Sequence, residues 1–213
     1  AVAALGARGR LEVQAPRHAL LRRALAPLEV LRAGDPLPTF DYQCPLLSVP
    51  GALGIALDDV PAAVPYLAAD EALRLRWRER IGGAQGLRVG IAWAGSATHR
   101  YDRNRSVPFA LLAPLLGVPG VRGYSLQKGA AARAAGETRG GDALIDWTDE
   151  LASFDDTAAL VACLDLVVTV DTAVAHLAGA LGKPVWLLTP FAPDWRWLLE
   201  RADSPWYPTM RLF

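Results

Sequence analysis

Apolar positions recur along this chain in two alternating rhythms. Runs with period two, or with dense β-branched residues, read as strands; apolar residues three and four apart read as helices. Residues 10–14 alternate and predict a strand. Residues 17–25 follow Pro16 and carry Leu20, Leu21, Ala24 and Leu25 on one face, which predicts a helix. A strand at 27–31 is closed by Gly34-Asp35-Pro36. Residues 40–43 predict another short strand, and 45–57 an apolar, partly helical stretch. A proline-rich crossing at 60–66 leads to a charged helix that starts at its cap, Asp70, and runs to about Arg80. Gly82-Gly83 and Gly86 then read as a hinge-like linker, with a boundary near Gly83.

Beyond that linker the rhythm is cleaner. Strands are predicted at 87–93, 121–126, 143–147, 166–170 and 185–188. Helices are predicted after Val107-Pro108 through Leu111, Leu112, Leu115 and Leu116, then at 154–164, 172–181 and 193–200. Strands alternating with helices argue for an α/β fold with a parallel sheet covered on both faces. The pieces before Gly83 share the cadence. The expectation is two α/β units facing each other, 1–83 and 84–213.

Composition narrows the class. Of 213 residues 52% are hydrophobic, and 22 Lys+Arg balance 22 Asp+Glu. That excludes intrinsic disorder and gives no bulk charge for a duplex nucleic acid or an anionic membrane surface. The apolar region 158–188 is interrupted by Asp165, Asp171, His176 and Lys183, so no membrane span is expected. Residues 1–6 are too short for a signal peptide, and their arginines follow rather than precede them. They read as the last turn of a helix closed by Gly6. The first residue is not Met, and 210–213 stop inside a strand pattern, so the chain reads as a fragment. Cys44 and Cys163 lie far apart in apolar segments, which predicts two buried free thiols in a reducing cytoplasm. No Cys/His cluster has metal-ligand spacing.

In an open parallel sheet, ligands bind beyond the carboxyl ends of the strands. Polar and basic residues gather at those positions: Gly95-Ser96 and the basic loop 99–105, Gln127-Lys128-Gly129, Asp171-Thr172-Ala173, and 189–196. The sharpest element is Val170-Asp171-Thr172-Ala173-Val174-Ala175-His176, a buried strand turning at once into a helix. The first N–H groups of that helix lack intrahelical partners and form its positive end, which suits a diphosphate. His176, one turn on from Thr172, is placed to reach the same ligand. The plainer alternative is that Asp171 and Thr172 only cap the helix and His176 bonds a backbone carbonyl. The arginines at 100, 103 and 105 read as a phosphate clamp, or as a solvated loop with Asp102 as partner. Single-stranded nucleic acid is a weaker reading, because no wider basic stripe accompanies them. Trp195 and Trp197, around Arg196, fit the floor of a base or sugar pocket, although core packing is the commoner fate of such rings. The G-x-G-x-x-G, P-loop and G-x-S-x-G signatures are absent from the sequence.

Four segments together resemble a known family: Val89-Gly-Ile-Ala-Trp-Ala-Gly-Ser96, Asp102-Arg-Asn-Arg-Ser-Val-Pro108, Tyr124-Ser-Leu-Gln-Lys-Gly129, and 165–184 with its Asp-Thr-Ala-Val-Ala-His core. They are similar to the glycosyltransferase region of bacterial tetratricopeptide-repeat proteins, related to the family 9, heptosyltransferase-like glycosyltransferases. Pro190-Phe-Ala-Pro-Asp-Trp-Arg-Trp197 and Asp203-Ser-Pro-Trp-Tyr-Pro208 extend the match. The resemblance implies a GT-B architecture of two Rossmann-like units, the first incomplete here, with a nucleotide-sugar in the cleft, held mainly by the second unit. It implies that Ser96 and Arg105 or Arg103 contact phosphate, and that Gln127 and Lys128 stand where the nucleoside is held. It implies that Asp171, Thr172, Ala173 and Val174 hold the diphosphate and donor sugar, with His176 as the His of the pattern. The family's catalytic base, an Asp of a Gly-Asp motif on the first helix, would precede Ala1. The catalytic residue is therefore unassigned.

The leading expectation is transfer of a sugar from a UDP-, ADP- or GDP-linked donor to an unknown acceptor, without a metal cofactor. The alternatives are a non-catalytic nucleotide-sugar-binding module and a GT-B relative with other chemistry, such as epimerisation.

Overall fold

The computed structural model describes residues 8–83, 85–100, 102–138 and 140–213. The expected helix turn at 1–6 lies outside them. The chain opens with a small βαβ unit: strand β1 (Arg10–Val13), helix α1 (His18–Ala24) and strand β2 (Glu29–Arg32). The two strands pair in parallel, Arg10 opposite Glu29 and Val13 opposite Arg32. Leu20 of α1 and Val30 of β2 are its buried residues.

Residues 33–70 are mostly irregular, with one short helix, α2 (Val49–Ala52). The strand expected at 40–43 does not form. Tyr42 is 94% exposed and Phe40 56%. Among the described residues no strand pairs with this stretch, and a lone strand leaves its main-chain groups to water. Helix α3 (Glu71–Ile81) starts where the sequence places it. Asp70 Oδ1 accepts from the Leu73 N–H at 3.1 Å, and the helix stops at Gly82 with φ 67°.

The remainder builds a six-stranded sheet. Its parts in chain order are β3 (Leu87–Ala92), α4 (Asp102–Arg105), β4 (Val121–Ser125), α5 (Ala130–Gly136), β5 (Leu144–Ile145), α6 (Phe154–Ala162), β6 (Leu166–Val170), α7 (Ala173–Ala180), β7 (Val185–Leu188) and β8 (Met210–Leu212). The strands run β5-β4-β3-β6-β7-β8 and every pair is parallel. The order reverses between β3 and β6, which makes their shared end a topological switch point.

Alternation along the strands supplies both faces of the sheet. Val89, Ile91 and Trp93 join one apolar cluster with Leu166 and Val168; Ala92 and Val167 join the other. The second cluster receives α6 and α7, whose Ala158, Ala159, Val161, Ala175 and Ala178 are fully buried. These small residues let the helices lie close on the strands. Arg23 of α1 joins the first unit to this layer: its Nη2 donates to Asp155 Oδ1 of α6 at 2.6 Å and to the Ala68 carbonyl at 3.1 Å.

Three further expectations need correction. The helix after Pro108 is a pair of 3-10 turns, Phe109–Leu111 and Ala113–Gly117, because Pro114 has no N–H to continue a ladder. Residues 193–200 coil in turns, and Leu198 and Glu200 take left-handed φ values of 60° and 55°, incompatible with a right-handed helix. Of the two thiols only Cys163 is buried; Cys44 is exposed on the irregular segment. Among the described residues, no helix is long and apolar enough to cross a membrane.

Candidate active site at the sheet switch point

Four loops leave the carboxyl ends of β3, β4, β5 and β6 and enclose a cavity of about 470 Å³. That lies within the roughly 300–1,000 Å³ of small-molecule sites. The loop after β3 contributes Ala94, Gly95 and Ser96. The loop after β4 contributes Gln127 and Lys128. The segment after β5 contributes Leu151, Ser153, Phe154 and Thr157. The start of α7 contributes Thr172, Ala173 and Val174. Arg105 from the end of α4 and Pro16 from the first unit complete the wall.

The α7 end of the cavity is a helix N-terminus. Thr172 caps it, its Oγ1 accepting from the Val174 N–H at 3.3 Å, and its carbonyl accepts from the Ala175 N–H at 3.1 Å. Among the described residues the Ala173 N–H has no protein acceptor. Thr169 Oγ1, at the end of β6, stands 3.3 Å from Thr172 Oγ1 and steadies it.

Arg105 is the fixed cation of the site. Its Nε donates to Asp102 Oδ1 and its Nη1 to the Asp171 carbonyl, both at 3.1 Å, with 19% of the side chain exposed. Asp102 also accepts from Ser106 Oγ at 3.1 Å, whose oxygen in turn accepts from the Gly95 N–H at 3.0 Å. This network lies directly over Gly95. A Cβ there would meet Asp102 Oδ1 and come within 2.6 Å of Arg105 Nε, so only glycine lets the guanidinium settle on the main chain.

Gln127 works as a brace. It is 4% exposed, and its Oε1 accepts from the Trp93 and Ala94 N–H groups at 2.9 and 2.8 Å, while Nε2 donates to the Lys128 carbonyl at 3.0 Å. It pins the ends of β3 and β4 together and commits its amide to doing so. Lys128 reaches across the cavity rim and donates through Nζ to the Leu151 carbonyl. Ser96 is exposed, its Oγ 2.8 Å from Thr98 Oγ1.

The structure thus brings Ser96, Arg105, Gln127, Lys128, Thr172, Ala173 and Val174 to one cavity. It does not bring Arg103, Asp171 or His176 to its wall. Arg103 is exposed on α4. Asp171 offers its carbonyl to Arg105, and its carboxylate is 3.9 Å from His176 Nε2. His176 lies in a second hollow, stacked on Trp197 with ring centres 5.1 Å apart and Nδ1 3.0 Å from the Tyr207 hydroxyl. Burial holds its pKa below the ordinary value of 6.5, although the Asp171 carboxylate pulls it upward. Sequence reasoning missed Pro16, Ser153, Phe154 and Thr157. Ser153 and Asp156 form a capping box that turns α6 toward the cavity, and that spacing was the available signal. Phe154 is covered by the Arg17 guanidinium, 5.1 Å from its ring centre. Among the described residues no group of three or more His, Cys, Asp or Glu side chains is placed to hold a metal ion.

Residues 151–191, which run from Leu151 of the cavity wall through α6, β6, α7 and β7, match the model of glycosyltransferase family 9 (heptosyltransferase). The resemblance to glycosyltransferase family 9 holds. Protein FlbA from Caulobacter vibrioides is 31% identical over 181 residues, 82% of this chain and 30% of that protein. Two solved structures share the fold. The family 9 glycosyl transferase from Veillonella parvula aligns with a TM-score of 0.54 at 14% identity, over 88% of this chain and 53% of that one. The E. coli ADP-heptose lps heptosyltransferase II aligns with a TM-score of 0.50 at 17% identity, over 73% and 47%. The chain therefore spans under a third of the curated relative and about half of each solved enzyme. The fold is that of the GT-B heptosyltransferases.

Proposed function

We propose that the switch-point cavity holds the diphosphate of a nucleotide-sugar, and that the chain is the donor-binding part of a family 9 glycosyltransferase. One observation carries the reading: Arg105 and the start of α7 meet at one wall of the cavity, joined through the Asp171 carbonyl. A departing nucleoside diphosphate gains negative charge as the glycosidic bond breaks. A fixed guanidinium and a helix N-terminus oriented beforehand stabilise that charge without reorganising. Lys128 adds a second cation at the rim. The apolar wall residues Leu126, Leu151, Ala152 and Phe154 suit the nucleoside end of such a donor, and the family match supports transfer as the chemistry. The nucleotide-sugar role, the partition into units 1–83 and 84–213, and the assignment of Ser96, Arg105, Lys128, Thr172, Ala173 and Val174 to phosphate and nucleoside all belong to this proposal.

The test is calorimetric titration of the protein with ADP, UDP and GDP and their sugar conjugates; ADP belongs in the panel because the E. coli relative is named for ADP-heptose. Saturable binding of at least one of the three nucleotides is expected. No heat and no thermal shift at millimolar concentration of any of them would refute the reading.

A further inference from the structure

Residues 33–70 carry a charge pattern unlike the rest of the chain. They hold five aspartates, Asp35, Asp41, Asp58, Asp59 and Asp70, and no Lys, Arg, His or Glu. All 22 Lys+Arg therefore lie elsewhere, against the 17 acids that remain of 22. A chain of zero net charge thus sets one acidic stretch against a basic remainder.

The acids are interleaved with exposed apolar side chains. Leu37, Phe40, Tyr42, Leu46, Leu47 and Leu57 are each at least 49% exposed. Pro36, Pro38, Pro45 and Pro50 lack the N–H that a regular ladder needs, so the stretch stays irregular. It is nevertheless held at three points. Arg10 Nη1 donates to the Thr39 carbonyl at 2.9 Å. Leu46, Leu47 and Pro50 share one hollow with Trp195 and Tyr207. The Tyr66 and Leu67 N–H groups donate to the Ala180 carbonyl at 3.0 and 3.1 Å. A surface already held in place loses little freedom when a partner settles on it.

The carboxylates decide what fits there. Asp59 accepts from the Ala56 N–H at 3.2 Å, and Asp70 caps α3. Among the described residues, the carboxylates of Asp35, Asp41 and Asp58 have neither a hydrogen bond nor an ion pair. Exposed apolar side chains gathered on one segment mark an interaction surface. A purely apolar cover would bury unpaired carboxylates at high cost. Nucleic acids and anionic membranes carry the same sign of charge and are repelled.

We propose that residues 35–59 form a docking surface for a separate polypeptide in which Lys or Arg alternates with apolar residues. Its cations meet Asp35, Asp41 and Asp58, and its apolar side chains cover Phe40, Tyr42, Leu46 and Leu47. The donor reading plays no part in this.

The test uses a short peptide alternating lysine and leucine, titrated by calorimetry and by backbone amide NMR. Three analogues replace its lysines with glutamine, its lysines with glutamate, or its leucines with serine. The protein is wild type, the triple variant Asp35→Asn, Asp41→Asn, Asp58→Asn, the double variant Phe40→Ser, Tyr42→Ser, and a charge-matched control, Asp142→Asn, Asp149→Asn, Glu200→Gln. All the altered side chains are exposed, and circular dichroism verifies folding. Wild type should bind the lysine-leucine peptide saturably, with the largest amide shifts between residues 35 and 59, and each analogue more weakly. The triple and double variants should each lose about tenfold, the triple variant's loss shrinking at high salt, and the control should bind as wild type does. Equal losses in the triple variant and the control, equal binding of the lysine-serine analogue, shifts outside 35–59, or no binding at millimolar peptide would each overturn the proposal. So would sedimentation of wild type as a dimer that the double variant dissociates, which assigns the surface to a second copy of the chain. No arm contains a nucleotide, so this proposal and the donor reading fail separately.

Discussion

The Arg105 guanidinium donates to the Asp171 main-chain carbonyl at 3.1 Å, and this bond ties the loop after β3 to the loop after β6 across the switch point. The strands β3 and β6 are hydrogen-bonded neighbours, so the sheet sets the spacing of the two loops and the arginine locks it. Arg105→Ala removes both the lock and the cation. Charge-assisted hydrogen bonds are worth about 1.5–3 kcal/mol, roughly 10- to 100-fold in affinity. Calorimetry with the nucleotide that wild type binds should show a loss of that order, and circular dichroism should show an unchanged fold.

Gly95 makes room for the same arginine. The added Cβ of Gly95→Ala collides with the Asp102–Arg105 pair. The pair must shift, so nucleotide affinity should fall as it does in Arg105→Ala although no charge is lost. A double variant, Gly95→Ala with Arg105→Ala, should bind no more weakly than Arg105→Ala alone, because both act on one interaction.

Gln127 bears on stability. Gln127→Ala strips the acceptor from two main-chain N–H groups, those of Trp93 and Ala94. Leaving a buried donor unsatisfied costs about 1–3 kcal/mol. Urea unfolding should show a loss of about 3 kcal/mol with an unchanged dependence on denaturant concentration.

His176 gives stability an acid limit. Burial lowers its pKa in the folded chain below the 6.5 of the open chain. Between those two values the unfolded chain binds more protons, so stability rises with pH there. The contribution is full above 6.5 and is lost as pH falls through the folded pKa. Denaturation followed from pH 8 to pH 5 should therefore show a decline in wild type that is smaller in His176→Gln.

Much of the second unit was legible because its strands are buried on both faces. The run Leu166-Val-Val-Thr-Val170 and the small-residue helix after it admit few other readings. Asp70 and Thr172 each mark a helix start that the structure keeps. The misses share a cause. Residues 40–43 have strand-like composition and no partner strand, and periodicity does not encode a partner. Residues 107–116 have helical periodicity, which Pro114 interrupts. At the site, helical spacing put His176 one turn from Thr172, but Thr172 is the extended cap residue, with φ −140°, so the same-face rule does not reach it and His176 lies in a different hollow. The aromatic residues that receive it, Trp197 and Tyr207, lie 21 and 31 residues further along the chain, beyond the reach of local pattern.

The claim on which the rest stands is that an anionic nucleotide binds where Arg105 meets the start of α7. Backbone amide NMR during titration with ADP, UDP and GDP tests it directly. The account predicts that, for at least one nucleotide, the largest saturable shifts fall on Gly95, Ser96, Thr172, Ala173 and Val174, and vanish in Arg105→Ala. Shifts confined to other surfaces, or none at millimolar nucleotide, would contradict it.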